Sequence, residues 1–383
     1  MVALAGGHLG TDFSNGSLPA LLPFLTDRFA LSYTLAAALM LASAAASSLV
    51  QPLFGLWSDR RGASWLLPGG VAVAGVGIAL AAAAPSYWLV LTLVVVSGLG
   101  IAAYHPEGSK FVAYASGRRR ASGMSAFSIG GNLGFALGPI VATPLVVWLG
   151  LRGGLLLAVP PLAIAAALFL LLPFLRTFVP ERSVERRTAG RDQPVALTIL
   201  LGVIGFRSLA WWGLLTFVPL WEVSLGHSKA YGNHLLALML LVGGIGTIVV
   251  GPVADRIGRR PVLIATLVAA GPLILVFVVV GGAIGAAALA LVGVTVVGTF
   301  GLTMVMAQEY LPRHIGTASG LSIGFSIGLG GIAALGLGAL ADAVDLQAAL
   351  YVCAAAPLAG LALTLVLPSA RPRRTLEPEI AVP

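Results

Sequence analysis

Charge is what this sequence has least of: Asp, Glu, Lys and Arg together make up 9% of its 383 residues. A soluble domain carries about a quarter, so a soluble enzyme and a nucleic-acid-binding domain are both excluded. The single cysteine, Cys353, excludes an intrachain disulfide and with it a secreted disulfide scaffold. No basic start precedes the first apolar stretch, and His8, Thr11, Asp12, Ser14 and Asn15 interrupt it. That segment therefore reads as a retained first helix, not as a secretory signal. Also missing are a phosphate-binding glycine loop, a nucleophile–base motif and any metal-ligand spacing. The chain is expected to be no enzyme, to hold no metal and to need no cofactor, ATP included. Alternation at every second residue is absent as well, which excludes a membrane β-barrel.

What remains is apolar: 58% of residues are hydrophobic and mean hydropathy is +1.00. Glycine contributes 49 residues, nearly twice the average share of about 7%, as suits helices packed closely in lipid. Apolar runs predict twelve transmembrane helices near 3–26, 31–56, 64–83, 86–108, 121–148, 153–175, 196–221, 230–253, 261–281, 283–306, 315–340 and 347–368. Trp57, Trp88, Trp148 and Trp221 are read as interface markers.

The basic residues then orient these spans. Eighteen Lys and Arg fall in one set of loops and the tail, from Arg60 to Arg374, against Arg28, Arg152 and Lys229 in the other set. The excess puts both termini in the cytoplasm of a multi-pass plasma (inner) membrane protein, expected to work as a monomer. A polar stretch divides the chain into an N-terminal bundle of six helices (1–175), a cytoplasmic linker (176–195), a C-terminal six-helix bundle (196–369) and a cytoplasmic tail (370–383). The halves repeat. Gly55, Asp59, Arg60 and Gly62 align with Gly251, Asp255, Arg256 and Gly258 at an offset of 196, and Phe127-Ser128-Ile129-Gly130 recurs as Phe325-Ser326-Ile327-Gly328. Duplicated six-helix units predict two pseudo-symmetric bundles around a central cavity.

The paired G-x-x-x-D-R-x-G loops resemble the signature of the major facilitator superfamily, which implies a transporter in which Asp59 and Asp255 latch one conformation. The first copy departs from the pattern by ending in Gly62-Ala63-Ser64, whereas the second keeps Arg259 and Arg260. Gly134, Gly138 and Pro139 resemble the helix-five glycine–proline motif of exporters in this superfamily. By their spacing, the two glycines also make a groove for a neighbouring helix. Three further stretches, His8–Pro23, Ser47–Asp59 and Tyr104–Lys110, are similar to the fosmidomycin-resistance branch. That resemblance implies a proton-driven antiporter exporting a small organic compound, an anionic or phosphonate-type drug among the candidates, with drug resistance as the consequence.

Ionisable residues inside a membrane are expensive and mark sites or partners. Asp12 at mid-depth, with His8 one turn away, is the expected proton carrier, with Glu107 and Glu309 as reserves. Arg207, also at mid-depth, is the expected contact for a substrate anion, with Trp211, Trp212 and His105 beside it and Asp12 as its partner in the substrate-free cavity. The protein is expected to bind a small molecule, protons and the bilayer, and no nucleic acid. A proton symporter importing a small organic acid is the rival reading. A lipid-modifying membrane enzyme would need a nucleophile or metal cluster, and none is legible.

Overall fold

In the computed structural model the described residues are 1–61, 63–116, 120–178, 191–313 and 315–368; side chains at 59–61, 120–122, 315, 316 and 319 are not among them. Most of the expected linker and the whole expected tail, Gly62, and the side chains of Asp59 and Arg60 lie outside what is described. Helices account for nearly all the rest, because backbone groups in a bilayer must be satisfied within their own segment.

The chain runs through α1 (Val2–Phe29), α2 (Tyr33–Ser48), α3 (Gln51–Arg61), α4 (Leu66–Ala83), α5 (Tyr87–Ser116) and α6 (Arg120–Leu149). A 3₁₀ segment (Leu151–Ala158) leads into α7 (Val159–Arg176). The second half repeats the order with α8 (Pro194–Ser224), α9 (Lys229–Ile257), α10 (Arg259–Val280), α11 (Gly282–Val296), α12 (Phe300–Tyr310), α13 (Ile315–Ala343) and α14 (Leu346–Leu365). The expected second and tenth spans are each a pair of shorter helices, α2 with α3 and α11 with α12. With these joined, eleven stretches among the described residues are long and apolar enough to cross a membrane. The twelfth is α1, 28 residues long but more polar, since it carries His8, Thr11, Asp12, Ser14 and Ser17. The fourth span also exceeds its expected end at 108, since α5 continues through Pro106 to Ser116. Of the tryptophans read as interface markers, Trp57, Trp88 and Trp148 are exposed and Trp221 is buried in the core.

Polar α1 is tolerated because α6 lies against it backbone to backbone. A Cβ on Gly130, Gly134 or Gly138 would overlap the backbone of Ala5, Leu9 or Gly16 respectively, and one on Gly16 would strike Phe135. The groove foreseen at Gly134 and Gly138 thus receives α1, the helix that carries Asp12. In α1 the hydroxyls of Thr11, Ser14 and Ser17 return to carbonyls one turn back, which satisfies them without a partner helix. Gly134→Val has nowhere to place its side chain except by prising α1 from α6. Overpacking costs about 1–3 kcal/mol where side chains can shift; against backbone the loss should be at least that. A fall in thermal midpoint of the detergent-solubilised protein checks it, with Gly336→Val, where a Cβ meets nothing, as the control.

The two halves are tied at the end remote from Met1. Lys229 pairs with Asp27 at 2.6 Å. The Asn233 amide donates to the Ala20 carbonyl and to the Thr143 hydroxyl, each at 2.9 Å. The Asp342 carboxylate accepts from the Tyr33 and Thr34 backbone N–H groups at 2.8 and 2.9 Å and caps the start of α2 across the divide. Towards the other end the α13 glycines Gly320, Gly324 and Gly328 face open space. Removing a capping carboxylate costs about 1 kcal/mol, so Asp342→Ala should populate the form opened at the tied end roughly fivefold more. Maleimide labelling of Ala37→Cys, buried beneath Gly338, should accelerate accordingly; the native Cys353 is fully buried against Gly213 and stays silent.

Candidate functional site

Asp12 and Arg207 each anchor a charged cluster inside the helical core, one in each half. The first joins α1 to α5. Asp12 Oδ2 is 3.2 Å from His8 Nε2, and Asp12 Oδ1 is 3.4 Å from His105 Nε2. All three side chains are largely buried but retain some exposure. Both imidazoles are fixed from behind: His8 Nδ1 donates to the Phe127 carbonyl at 2.8 Å, and His105 Nδ1 to the Ile101 carbonyl at 3.0 Å. Only a protonated Nδ1 can bond a carbonyl, so each ring turns its Nε2 on the carboxylate. The His8 ring also stacks on Phe127 with centroids 4.0 Å apart, and the Tyr104 hydroxyl donates to the Leu4 carbonyl. Space for the cluster comes from Gly131 of α6, where a Cβ would lie 2.5 Å from His8 Nε2 and 2.7 Å from Asp12 Oδ2.

The second cluster joins α8, α12 and α13. Arg207 is 2% exposed and sits over the Phe300 ring at 4.0 Å. Its two terminal nitrogens donate to the Thr303 and Ser326 hydroxyls at 3.2 and 3.3 Å, Ser326 bonds Ser208 at 2.7 Å, and Arg207 Nε has no partner. Among the described residues no carboxylate pairs with it. The expected Asp12–Arg207 pair is therefore not formed in this structure: each group is held inside its own half, Asp12 by histidines and Arg207 by hydroxyls. At the offset of 196, Asp12 corresponds to Ser208, the neighbour of Arg207. The duplication thus put a carboxylate in one half and a guanidinium in the other at matching depths.

The remaining candidates are distributed differently from expectation. His105, expected beside Arg207, belongs to the Asp12 cluster. Trp211 packs edge-on behind Phe300 and also reaches Phe135 of the first half, with centroids 6.5 and 6.1 Å away, while Trp212 packs against Gly330. Phe300, not a tryptophan, supplies the ring under the guanidinium. Glu107 is fully buried, accepts from Ser58 and pairs with Lys110 at 2.8 Å. These residues border a cavity of about 350 Å³ with Gly55, Pro106 and Ser109. Glu309 accepts from Arg259 at 2.5 Å, and Arg259 also reaches Asp255 at 3.6 Å. The exposed Asp255 thus pairs one turn along its own loop, and Arg256 beside it is exposed. Gly251 meets nothing, while Gly258 adopts a φ of +100° to end α9, a conformation that L side chains rarely adopt.

Sequence reasoning missed Phe127, Gly131, Phe300, Thr303 and Ser326. Phe127 and Ser326 fall inside the repeated Phe-Ser-Ile-Gly segments, and that repeat was the available signal.

The chain matches the major facilitator superfamily model over residues 4–334. It is 31% identical to the fosmidomycin resistance protein of Escherichia coli, with 96% of this chain and 92% of that one covered. To YfnC, an uncharacterised MFS-type transporter of Bacillus subtilis, it is 32% identical, with 94% and 91% covered. In fold it superposes on a bacterial homologue of the human lysosomal transporter Spinster, inward-facing and occupied, with a TM-score of 0.80 at 13% identity over 96% of both chains. FucP, in an outward conformation, gives a TM-score of 0.66 at 15% identity over 96% of this chain and 98% of that one. Twelve spans among the described residues, duplicated loops and a match across most of the sequence make this multi-pass membrane protein a member of the major facilitator superfamily.

Proposed function

We propose that this transporter exports a small organic anion in exchange for protons, with Arg207 receiving the anion and Asp12, between His8 and His105, carrying the proton. The observation that carries the reading is Arg207: a buried guanidinium with hydroxyl partners and an unpartnered Nε. An uncompensated charge at such depth costs several kcal/mol, and an entering carboxylate or phosphonate removes that cost through a two-pronged hydrogen bond. Thr303, Ser326 and Phe300 hold the fork in position meanwhile.

Asp12 is the better proton carrier of the three carboxylates, because Glu107 and Glu309 are already paired with Lys110 and Arg259. The excess of basic loops puts the termini in the cytoplasm. The tied end is then external, and the untied end faces inward. The duplicated loops belong to the inner end, where a latch on Asp59 and Asp255 would hold the opposite state. The likeness to the fosmidomycin resistance protein supports export of a phosphonate-sized anion.

Reconstituted vesicles with an imposed pH gradient test this, with fosmidomycin, gentisate and a cationic dye as the panel. Anions that drive protons in the opposite direction support the reading. Protons moving with the anion would make the protein an importing symporter, and response to the dye alone would sink it.

A further inference from the structure

The geometry of His8, Asp12 and His105 points to a binding site for a divalent transition-metal ion of the zinc class, with both Nε2 atoms and the Asp12 carboxylate as ligands. The donor set is two imidazoles and one carboxylate, whose ligand atoms all lie within 4.8 Å of one another. Donors about 2.0–2.1 Å from a tetrahedral Zn²⁺ stand about 3.3–3.4 Å apart. The observed separations, 3.2 Å from His8 Nε2 to Oδ2 and 3.4 Å from His105 Nε2 to Oδ1, lie close to that edge, each on its own carboxylate oxygen.

Orientation strengthens the case. Each Nδ1–H is committed to a backbone carbonyl, of Phe127 and of Ile101, which is the outer-shell arrangement that fixes metal-binding histidines in their tautomer. In neutral rings both Nε2 lone pairs then point at carboxylate oxygens. Lone pairs facing lone pairs repel, so a positive centre between them is what the arrangement accommodates. The ligands come from two helices that other contacts already fix, α1 by α6 and α5 by the Tyr104–Leu4 hydrogen bond. Three protein donors leave a fourth position for water. The sequence signals only the His8–Asp12 pair, because 93 positions separate Asp12 from His105.

The test uses the full chain in detergent, freed of any histidine tag, stripped with chelator and titrated with Co²⁺ and then Zn²⁺, without substrate or gradient. Expected are one ion per chain, visible d–d absorption of low-coordinate Co²⁺, and its displacement by Zn²⁺. His105→Gln and Asp12→Asn should each weaken binding by about tenfold or more. Gly131→Ala should weaken it too while removing no donor. His227→Ala, whose ring pairs with Glu222 elsewhere, should bind as wild type. Absence of binding by wild type, binding kept within twofold in His105→Gln and Asp12→Asn, or an equal loss in His227→Ala would each overturn the assignment. Each variant is read only where it elutes as a single species like wild type. Proton-coupled transport is measured separately in chelator, so either reading can fail while the other stands.

Discussion

Asp12→Asn should bring gradient-driven accumulation of the anion down to equilibration, with an inside-to-outside ratio of about one. One pH unit is worth about 1.4 kcal/mol per proton, so wild type exchanging one proton per anion should reach a ratio of about ten. Asparagine keeps the volume of the side chain but holds no titrating oxygen. Exchange of labelled for unlabelled anion needs no net proton movement and should survive in the variant. That split distinguishes a coupling residue from a packing residue, whose loss lowers both rates together. If accumulation persisted in Asp12→Asn, the proton would have to travel on Glu107 or Glu309, against their pairing with Lys110 and Arg259.

Arg207 should produce the largest change in binding. Truncating one member of a buried charge pair costs about 2–5 kcal/mol, so Arg207→Ala should weaken anion affinity by roughly 30-fold to several thousand-fold. Arg207→Lys keeps the charge and loses the fork. A lysine cannot reach Thr303, Ser326 and a substrate at once, and its ammonium stacks less well on Phe300. Its expected loss is about tenfold or more, from one charged hydrogen bond worth about 1.5–3 kcal/mol. Equilibrium binding of radiolabelled fosmidomycin checks both variants. Affinity unchanged in Arg207→Ala would move the substrate class to neutral or cationic compounds.

The fold was legible in the sequence because lipid imposes length and hydropathy on every span. Twelve runs were visible, and the structure altered their ends and split two of them into shorter helices. Asp12 and Arg207 were legible for the same reason, since a charge inside an apolar run stands out. Their partners were not. Thr303 and Ser326 are ordinary hydroxyls of the kind that bond their own helix, and only the packing of α8 against α12 and α13 sets them apart. His105 was legible as an intramembrane histidine, but its neighbour depends on rotation of α5, which a uniformly apolar helix does not reveal. Pairing Asp12 with Arg207 followed from equal depth. The structure places each within its own half instead, Asp12 beside His8 and His105, and Arg207 beside Thr303 and Ser326.

The measurement that tests this account most directly is the number of protons exchanged with buffer when fosmidomycin binds to the solubilised protein, in wild type, Asp12→Asn and Arg207→Ala. With the two charges in separate halves, Arg207→Ala should weaken anion binding while an acid pulse still protonates the Asp12 cluster. Asp12→Asn should bind the anion with no change in proton count. Proton exchange on anion binding that persists undiminished in Asp12→Asn would contradict the assignment of the proton to the His8–Asp12–His105 cluster.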